Sequence, residues 1–143
     1  MSVYQKPLVL LDLSDGSEQV ARAAAGLAGP AGAGLIALHV VEFIPIEPLG
    51  ESLQPTPQIQ DELTRRASLR LTQLLQGLGL TAAGARIETG STKSTILRVA
   101  AEVGADLIVL GSRERHGLAI LVNFTEDTVL HAAHCDVLAI RLK

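Results

Sequence analysis

Aromatic residues and cysteine are scarce in this sequence of 143 residues. Tyr4, Phe43 and Phe124 are its only aromatic residues, too few to build a stacking platform for nucleic-acid bases. The single cysteine, Cys135, excludes an intrachain disulfide and any cysteine-rich metal site. The formal net charge of -3 argues against a general nucleic-acid-binding protein, which needs an excess of positive charge. We therefore expect a cytoplasmic protein that does not bind nucleic acid.

Long hydrophobic runs are missing as well. The apolar run that starts at Leu8 is interrupted by Asp12, so we expect neither a signal peptide nor a spanning helix there. Hydrophobic residues nevertheless make up 48% of the chain and charged residues only 19%, which is enough apolar surface for a folded core. These proportions predict a single domain over residues 1–143, without membrane insertion.

Short apolar runs alternate with helical periods along the chain. Continuous apolar runs suit strands that are buried on both faces of a parallel sheet. Four segments have this character: 8–11, 35–41, 107–110 and 137–140. A weaker fifth strand, 85–88, alternates between apolar and charged residues and is expected near an edge. Apolar stripes at helical spacing predict helices within three segments: 20–31, 63–78 and 96–103. A fourth helix is expected at about 125–133.

Local signals mark the ends of some helices. Thr56 followed by Pro57 is a favourable start for the second helix, and Gly77 or Gly79 can end it. Gly104 can end the third helix. The first helix has a candidate capping pair in Asp15 and Glu18, and Ser14 and Ser17 are further candidate caps. The proline-rich segment 43–57 is expected to be a loop, either a functional flap or a mobile surface loop.

The alternation of strands and helices predicts an α/β fold. Right-handed crossovers would place helices on both faces of an open five-stranded parallel sheet of order 3-2-1-4-5. Ligands of such sheets bind beyond the carboxyl ends of the strands, where the strand order reverses. Here that point lies between the first and fourth strands, which are followed by the polar segments 12–17 and 111–117. We therefore expect the functional site in this crevice.

Four segments resemble the universal stress protein family, in the family's order along the chain. LVLLDLS at 8–14 is similar to its opening strand and acidic turn, and LHVVE at 38–42 to its second strand. ADLIVLGSR at 105–113 resembles its fourth strand and following loop, and HAAHCDVLAI at 131–140 its last helix end and last strand. The resemblance implies an adenine-nucleotide alpha-hydrolase-like fold. It also implies a regulatory module of the stress response and not an enzyme.

One branch of that family binds ATP through a glycine signature, which this chain carries only in part. The signature is Gly, two residues, Gly, nine residues, then Gly followed by Ser or Thr. Gly111 and Thr125 match its ends, whereas Glu114 and Phe124 replace the other two glycines. Glycine lets backbone amides approach a phosphate closely, while Phe124 adds a ring and Glu114 a repelling carboxylate. The resemblance therefore implies weak or absent ATP binding by the family mode.

Three functions remain open from the sequence. The first is a dimeric regulatory module with an unidentified protein partner and no cofactor. The alternative is a sensor of ATP or AMP that uses the same crevice. Its nucleotide would be held by five residues: Asp12, the backbone at Val40, Gly111, Ser112 and Thr125. For Asp12 the competing interpretation is a turn-forming carboxylate, and a slow nucleotide-hydrolysing enzyme, dependent on Asp12, is a third and weaker hypothesis. No catalytic constellation is recognisable.

The histidines do not form a convincing metal motif. His131 and His134 lie beside Cys135, but zinc would need a further ligand such as His39 or His116. We expect no metal site. His39 is instead expected to be a packed, hydrogen-bonded strand residue, and Cys135 a buried structural thiol.

The last strand, Val137–Leu142, is an apolar edge with no later element in the sequence to cover it. Exposed apolar edges invite pairing with another strand. Pairing with a second copy across a two-fold axis would remove the edge from solvent. The family resemblance implies the same homodimer.

Overall fold

The computed structural model describes residues 3–42, 56–113, 129 and 131–142. In chain order its elements are β1 Pro7–Leu10, α1 Ser17–Ala25, a 3-10 turn Pro30–Gly32, β2 Ile36–Val41, α2 Pro57–Gly77, β3 Gly84–Thr89, α3 Thr92–Val103, β4 Leu107–Arg113 and β5 Asp136–Leu142. Residues 129, 131 and 132 are helical. Residues 125–128 and 130 of the predicted helix 125–133, and residues 43–55 of the predicted loop 43–57, lie outside the described residues.

All strand pairs are parallel, and the sheet has the order β3-β2-β1-β4-β5. This confirms the fold class predicted from the apolar runs. The alternating strand β3 lies at one edge of the sheet, as expected, and β5 ends the order on the other side. Among the described helices, none is both long and apolar enough to cross a membrane.

The core has two halves, one on each face of the sheet. On one face, Val9 and Val109 pack with Ala21 of α1 and Leu71 of α2. On the other face, strand residues pack with α3, through Leu8, Leu38, Ile108, Ile96 and Val99. The central strands are therefore buried on both sides, which is why their apolar runs are continuous.

The ends of α2 and α3 follow their local signals. The Thr56 hydroxyl accepts a hydrogen bond from the Ile59 N–H at 3.3 Å, and Pro57 is the first residue of α2. The helix runs to Gly77, as expected. Gly104 ends α3 with a left-handed backbone at φ 67°. These signals are local, so the sequence alone predicts them well.

The prediction for α1 was wrong in two respects. Its N-cap is Gly16, and no side chain caps the helix, so neither the pair Asp15 and Glu18 nor the nearby serines act as caps. Glu18 instead pairs with Arg22 at 2.7 Å. The helix also ends at Ala25, short of the apolar stripe that continues to Ala31, because Gly26 forms its C-cap.

The strands end at different levels along the carboxyl edge of the sheet. β1 ends at Leu10, level with Leu38, whereas β2 continues to Val41. Val9 is level with Val109, whereas β4 continues to Arg113. A notch, here called the β1 notch, therefore opens between β2 and β4 above the end of β1. Strand geometry makes it about 10 Å deep and about 10 Å wide.

Candidate functional site

The β1 notch brings together four of the five residues predicted to form a site. Asp12 lies in the turn that follows β1, and Val40 lies near the end of β2. Gly111 and Ser112 lie in the part of β4 that extends beyond β1 and pairs with β5. The strand order reverses at this position, as the fold class requires. Thr125 lies outside the described residues.

The Asp12 carboxylate organises the turn that carries it. Its Oδ1 atom accepts hydrogen bonds from the Ser14 N–H at 2.9 Å, the Ser14 hydroxyl at 2.6 Å and the Ser17 hydroxyl at 3.0 Å. Both hydroxyls thus donate to Asp12, which explains why they do not cap α1. This arrangement is an Asx turn, in agreement with the turn-forming interpretation of Asp12.

The next residue, Leu13, holds a left-handed backbone at φ 63° although it is not glycine. Its side chain is buried in the core, and its carbonyl oxygen accepts a hydrogen bond from Arg70 Nη2 of α2 at 2.5 Å. Left-handed backbone costs a residue with a side chain roughly 1–2 kcal/mol. The buried leucine and Arg70 offset that cost. Sequence reasoning missed both residues, since no local pattern links positions 57 residues apart.

Val40 contributes its peptide group to the notch. The Leu38 carbonyl accepts from the Leu11 N–H at 2.9 Å, so Leu38 faces β1. Backbone groups alternate along a strand, and the Val40 N–H and carbonyl therefore point to the same side, beyond the end of β1. The Val41 carbonyl points the other way and accepts from Gly90. A peptide N–H and carbonyl at this position can pair with the edge of a planar heterocycle.

Gly111 lies in tightly packed surroundings. A Cβ atom at this position would lie 2.8 Å from Leu142 Cδ1 and 3.1 Å from Val20 Cγ2. Any side chain would therefore push against both β5 and α1. The glycine that resembles the start of the ATP signature thus has a structural reason that does not involve a phosphate.

Two carboxylates of the protein lie at the starts of helices on this edge of the sheet. Asp12 holds the hydroxyl of Ser17, the first residue of α1. Glu42 Oε1 accepts from the N–H of Thr92, the first residue of α3, at 3.4 Å. Helix N-termini favour negative charge, and here the protein supplies that charge itself.

The described histidines and Cys135 do not form a metal centre. In the part of the chain that the structure describes, no three metal-ligating side chains converge. His39 Nδ1 lies 2.7 Å from the Leu11 carbonyl oxygen, which confirms the hydrogen-bonded strand histidine. Cys135 is only half-buried, less than expected. Burial raises the pKa of its thiol, and the nearby carboxylates of Asp136 and Asp106 raise that pKa further.

The open parallel sheet of order β3-β2-β1-β4-β5, with a notch at its switch point, agrees with the adenine-nucleotide alpha-hydrolase-like class of α/β folds that the family resemblance implies. The Universal stress protein family model matches residues 4–141, and the chain belongs to that family. The family resemblance drawn from the four sequence segments is thereby confirmed. The protein is accordingly a member of a family of stress-response proteins.

Similar proteins cover the whole chain. Universal stress protein A homolog 2 of Coxiella burnetii is 33% identical over 144 residues, which cover 100% of this chain and 99% of that protein. A universal stress protein family structure from Burkholderia pseudomallei has a TM-score of 0.66 at 26% identity and covers 98% of both chains. A universal stress protein solved in complex with cAMP has a TM-score of 0.65 at 24% identity and covers 99% of this chain and 100% of that one.

Proposed function

We propose that this protein is a dimeric regulatory module of the stress response that binds ATP weakly or not at all. In this proposal it is not an enzyme, has no cofactor, forms one domain, and acts in the cytoplasm on an unidentified protein partner. The observation that carries the proposal is the Asp12 turn. Three donors of the turn itself converge on one carboxylate oxygen. The turn is thereby stabilised without a ligand.

The charges around the β1 notch support weak ATP binding. Asp12 and Glu42 already place negative charge at the starts of α1 and α3. A triphosphate would have to approach both carboxylates, and like charges repel strongly at short distance. In the sequence, Glu114 and Phe124 also replace two glycines of the ATP signature. These three carboxylates and the Phe124 ring therefore disfavour a triphosphate.

Calorimetric titration with ATP and magnesium tests this part of the proposal. We expect a Kd weaker than about 100 μM, or about -5.5 kcal/mol. The double variant Glu114→Gly, Phe124→Gly should bind ATP at least about tenfold more tightly if the missing glycines are the cause. Glu114→Ala with Phe124→Ala is the matched control, because it removes carboxylate and ring without glycine's backbone freedom. Tight binding by the unmodified protein would contradict the proposal.

A Gly111→Leu variant would be unsuitable as a negative control for nucleotide binding. Its side chain would collide with Leu142 and Val20, so any loss of binding would include a displaced β5. Hydrolysis of ATP that disappears in Asp12→Ala would overturn the non-enzymatic part of the proposal. An Asp12→Asn variant keeps an acceptor oxygen for the serines, and it separates loss of the carboxylate charge from loss of the turn.

The proposed dimer pairs β5 with its copy. Val137, Leu138 and Ile140 are only half-buried within one chain, and Ala139 is exposed. Pairing two such strands would bury this apolar surface and satisfy the edge backbone groups. The strand at the other edge of the order, β3, carries charged Arg86 and Glu88 and so suits pairing less well.

Sedimentation equilibrium tests the dimer with two matched variants. Ala139→Lys places a charge at an exposed position of β5, and Ala85→Lys does the same in β3. We expect the mass of two chains for the unmodified protein and for Ala85→Lys, and the mass of one chain for Ala139→Lys. An unmodified protein that sediments as a single chain would contradict the proposal, and so would dissociation by Ala85→Lys alone.

A second candidate, an adenine-nucleotide sensor, is favoured by the backbone of the β1 notch. The alternation along β2 directs the Val40 peptide group into the notch, where it can pair with a base edge. The similar structure in complex with cAMP contains a nucleotide with a single phosphate. A nucleotide with one phosphate needs fewer close contacts with backbone amides than ATP does, so it depends less on the signature glycines. AMP or cAMP is therefore the better nucleotide for this candidate.

Titration with AMP and cAMP separates the two candidates. Saturable binding that is lost in Ser112→Leu, but retained in Ser94→Leu, would establish a nucleotide sensor. Ser112 borders the notch in β4, whereas Ser94 is exposed near the start of α3 and adds the same side chain elsewhere. Absence of binding by ATP, AMP and cAMP would leave the partner-binding module as the function.

A further inference from the structure

The described residues also line a solvent-open space on the α3 face of the sheet, apart from the β1 notch. A cavity of about 490 Å³ separates α3 from the segment that leads into β5, and it is called here the α3 cavity. Its lining includes Leu97, Ala101, Ile108, Ala132, Ala133 and Cys135. Cys135 immediately precedes β5, so the cavity lies at the end of the sheet where strands begin. Along β4, Ile108 of its lining lies three residues, about 10 Å, before Gly111 at the notch.

The cavity exists because small residues face each other across it. Ala101 and Gly104 of the α3 side and Ala132 and Ala133 of the opposite side leave the space between them unfilled. Ala101, Gly104 and Ala132 are themselves exposed, so the space opens to solvent on one side. Its volume falls within the range of small-molecule pockets, about 300–1,000 Å³.

The charges around the α3 cavity are already compensated. Arg98, which contributes to the lining, places its guanidinium 2.6 Å from a Glu88 carboxylate oxygen and 2.7 Å from one of Glu102. Its positive charge is therefore balanced within the protein and selects no anion. The raised pKa of the Cys135 thiol keeps this group neutral near pH 7. The nearby carboxylates of Asp106 and Asp136 are not among the lining residues, and they already accept hydrogen bonds from Gln5, Lys6 and Tyr4. The lining itself therefore offers a charged ligand no uncompensated charge to offset its desolvation.

The geometry points to the α3 cavity as a binding site for a neutral, mostly apolar small molecule, such as one built of two or three aromatic rings. Leu97 and Ile108 supply apolar contact surface, and the exposed His134 supplies a polar group at the edge. This inference concerns the face of the sheet that carries α3, at the end opposite the notch. It therefore stands whether or not the notch binds a nucleotide.

A fluorescence titration with the neutral dye N-phenyl-1-naphthylamine tests the inference on the full chain. We expect a saturable rise with one dye per chain. The variant Ala101→Leu, Ala132→Leu fills the cavity from two walls and should weaken binding at least about tenfold. Ala82→Leu with Ala85→Leu adds the same groups at exposed positions outside the cavity and should leave binding unchanged. Thermal melting checks that each variant folds.

The only cysteine of the chain reports where the dye binds. Because Cys135 lines the cavity, saturating dye should slow its reaction with dithiodipyridine several-fold in the unmodified protein. The same dye should have little effect on this rate in the filled variant. Dye binding without protection of Cys135, or equal binding by the filled variant, would overturn the inference. A dye affinity that follows protein self-association would also overturn it, since the cavity would then be a contact between copies.

Discussion

At the scale of single residues, close approaches of the backbone decide which side chains a position tolerates. Gly111 illustrates this in the sheet, where a Cβ atom would press on the side chains of Leu142 and Val20. Leu13 illustrates the opposite case, because a buried side chain and a hydrogen bond from Arg70 hold a left-handed backbone that leucine rarely adopts. Both positions border the candidate site, so packing and site geometry depend on the same residues.

Gly34 should be the glycine most sensitive to substitution. It has φ 83°, and a Cβ atom would lie within 3.0 Å of the Gln5 carbonyl oxygen. We expect Gly34→Ala to lower the free energy of unfolding by about 2–4 kcal/mol, measured by urea denaturation. Gly77→Ala is the control, because a Cβ atom added at Gly77 would have nothing within 4 Å. Equal losses in the two variants would contradict the steric explanation.

At the scale of elements, α2 has the strongest local definition among the described helices. Its start combines the Thr56 hydroxyl cap with Pro57 at the first helical position. Its first half carries Glu62 with Arg65 and Arg66, at spacings that place their side chains on one surface. α2 also supplies Arg70 to the Asp12 turn, so stability at the start of this helix bears on the notch.

Removing the cap of α2 should cost stability in proportion to one lost capping bond. Thr56→Ala is expected to lower the free energy of unfolding by about 1 kcal/mol, because the Ile59 N–H loses its acceptor. Thr56→Ser keeps the hydroxyl and should lose much less. Urea denaturation with a constant slope measures both variants. A serine variant as unstable as the alanine variant would show that the hydroxyl is not the cause.

The Glu62 cluster predicts a pH-dependent contribution from α2. Hydrogen bonds from Arg65 and then Arg66 lower the pKa of Glu62 to about 2 from its usual 4.5. The contribution of the Glu62 cluster to folding stability is therefore fully present above pH 4.5 and is lost as the pH falls towards 2. The melting-temperature difference between the unmodified protein and Glu62→Gln should shrink over that interval.

The melting-temperature difference between the unmodified protein and Glu62→Gln should also shrink in about 1 M salt at neutral pH. The Glu62 cluster is exposed, so salt screens its charges. Glu18→Gln, which removes another exposed pair with Arg22, is a suitable control for general effects of surface charge. A melting-temperature difference between the unmodified protein and Glu62→Gln that stays constant down to pH 2 would contradict the lowered pKa of Glu62.

At the scale of the whole molecule, the Asp106 carboxylate connects the beginning of the chain to the second half of the sheet. Asp106 precedes β4 and accepts hydrogen bonds from the backbone N–H groups of Gln5 at 2.7 Å and Lys6 at 2.9 Å. The Lys6 carbonyl accepts in return from the Asp106 N–H. These bonds fix how β1 enters the sheet beside β4, on which the depth of the notch depends.

Asp106→Ala should therefore lower the free energy of unfolding by about 2–3 kcal/mol, since two backbone donors lose a charged acceptor. Asp106→Asn retains one oxygen acceptor, so its free energy of unfolding should lie between those of the unmodified protein and Asp106→Ala. Hydrogen exchange should show faster exchange at Gln5 and Lys6 in the alanine variant. Unchanged protection of these two amides would contradict the assigned role.

Much of the fold was predictable from local patterns. The continuous apolar runs predicted β1, β2, β4 and β5, and the alternating run predicted the edge strand β3. Proline, threonine and glycine signals predicted the ends of α2 and α3. The start of α1 was not predictable, because Asp12 takes the hydroxyls that the pattern assigned to capping.

The sequence by itself determined the order of elements, the parallel sheet and the family, because periodicity, turn residues and family segments are properties of neighbouring positions. It also located the switch point at Asp12 and Gly111. Only the tertiary structure decided the shape of the notch, the support of Leu13 by Arg70 and the packing around Gly111. The α3 cavity beside Cys135 was likewise visible only in the tertiary structure. The physical reason is that these features depend on strand register and on contacts between residues far apart in the chain.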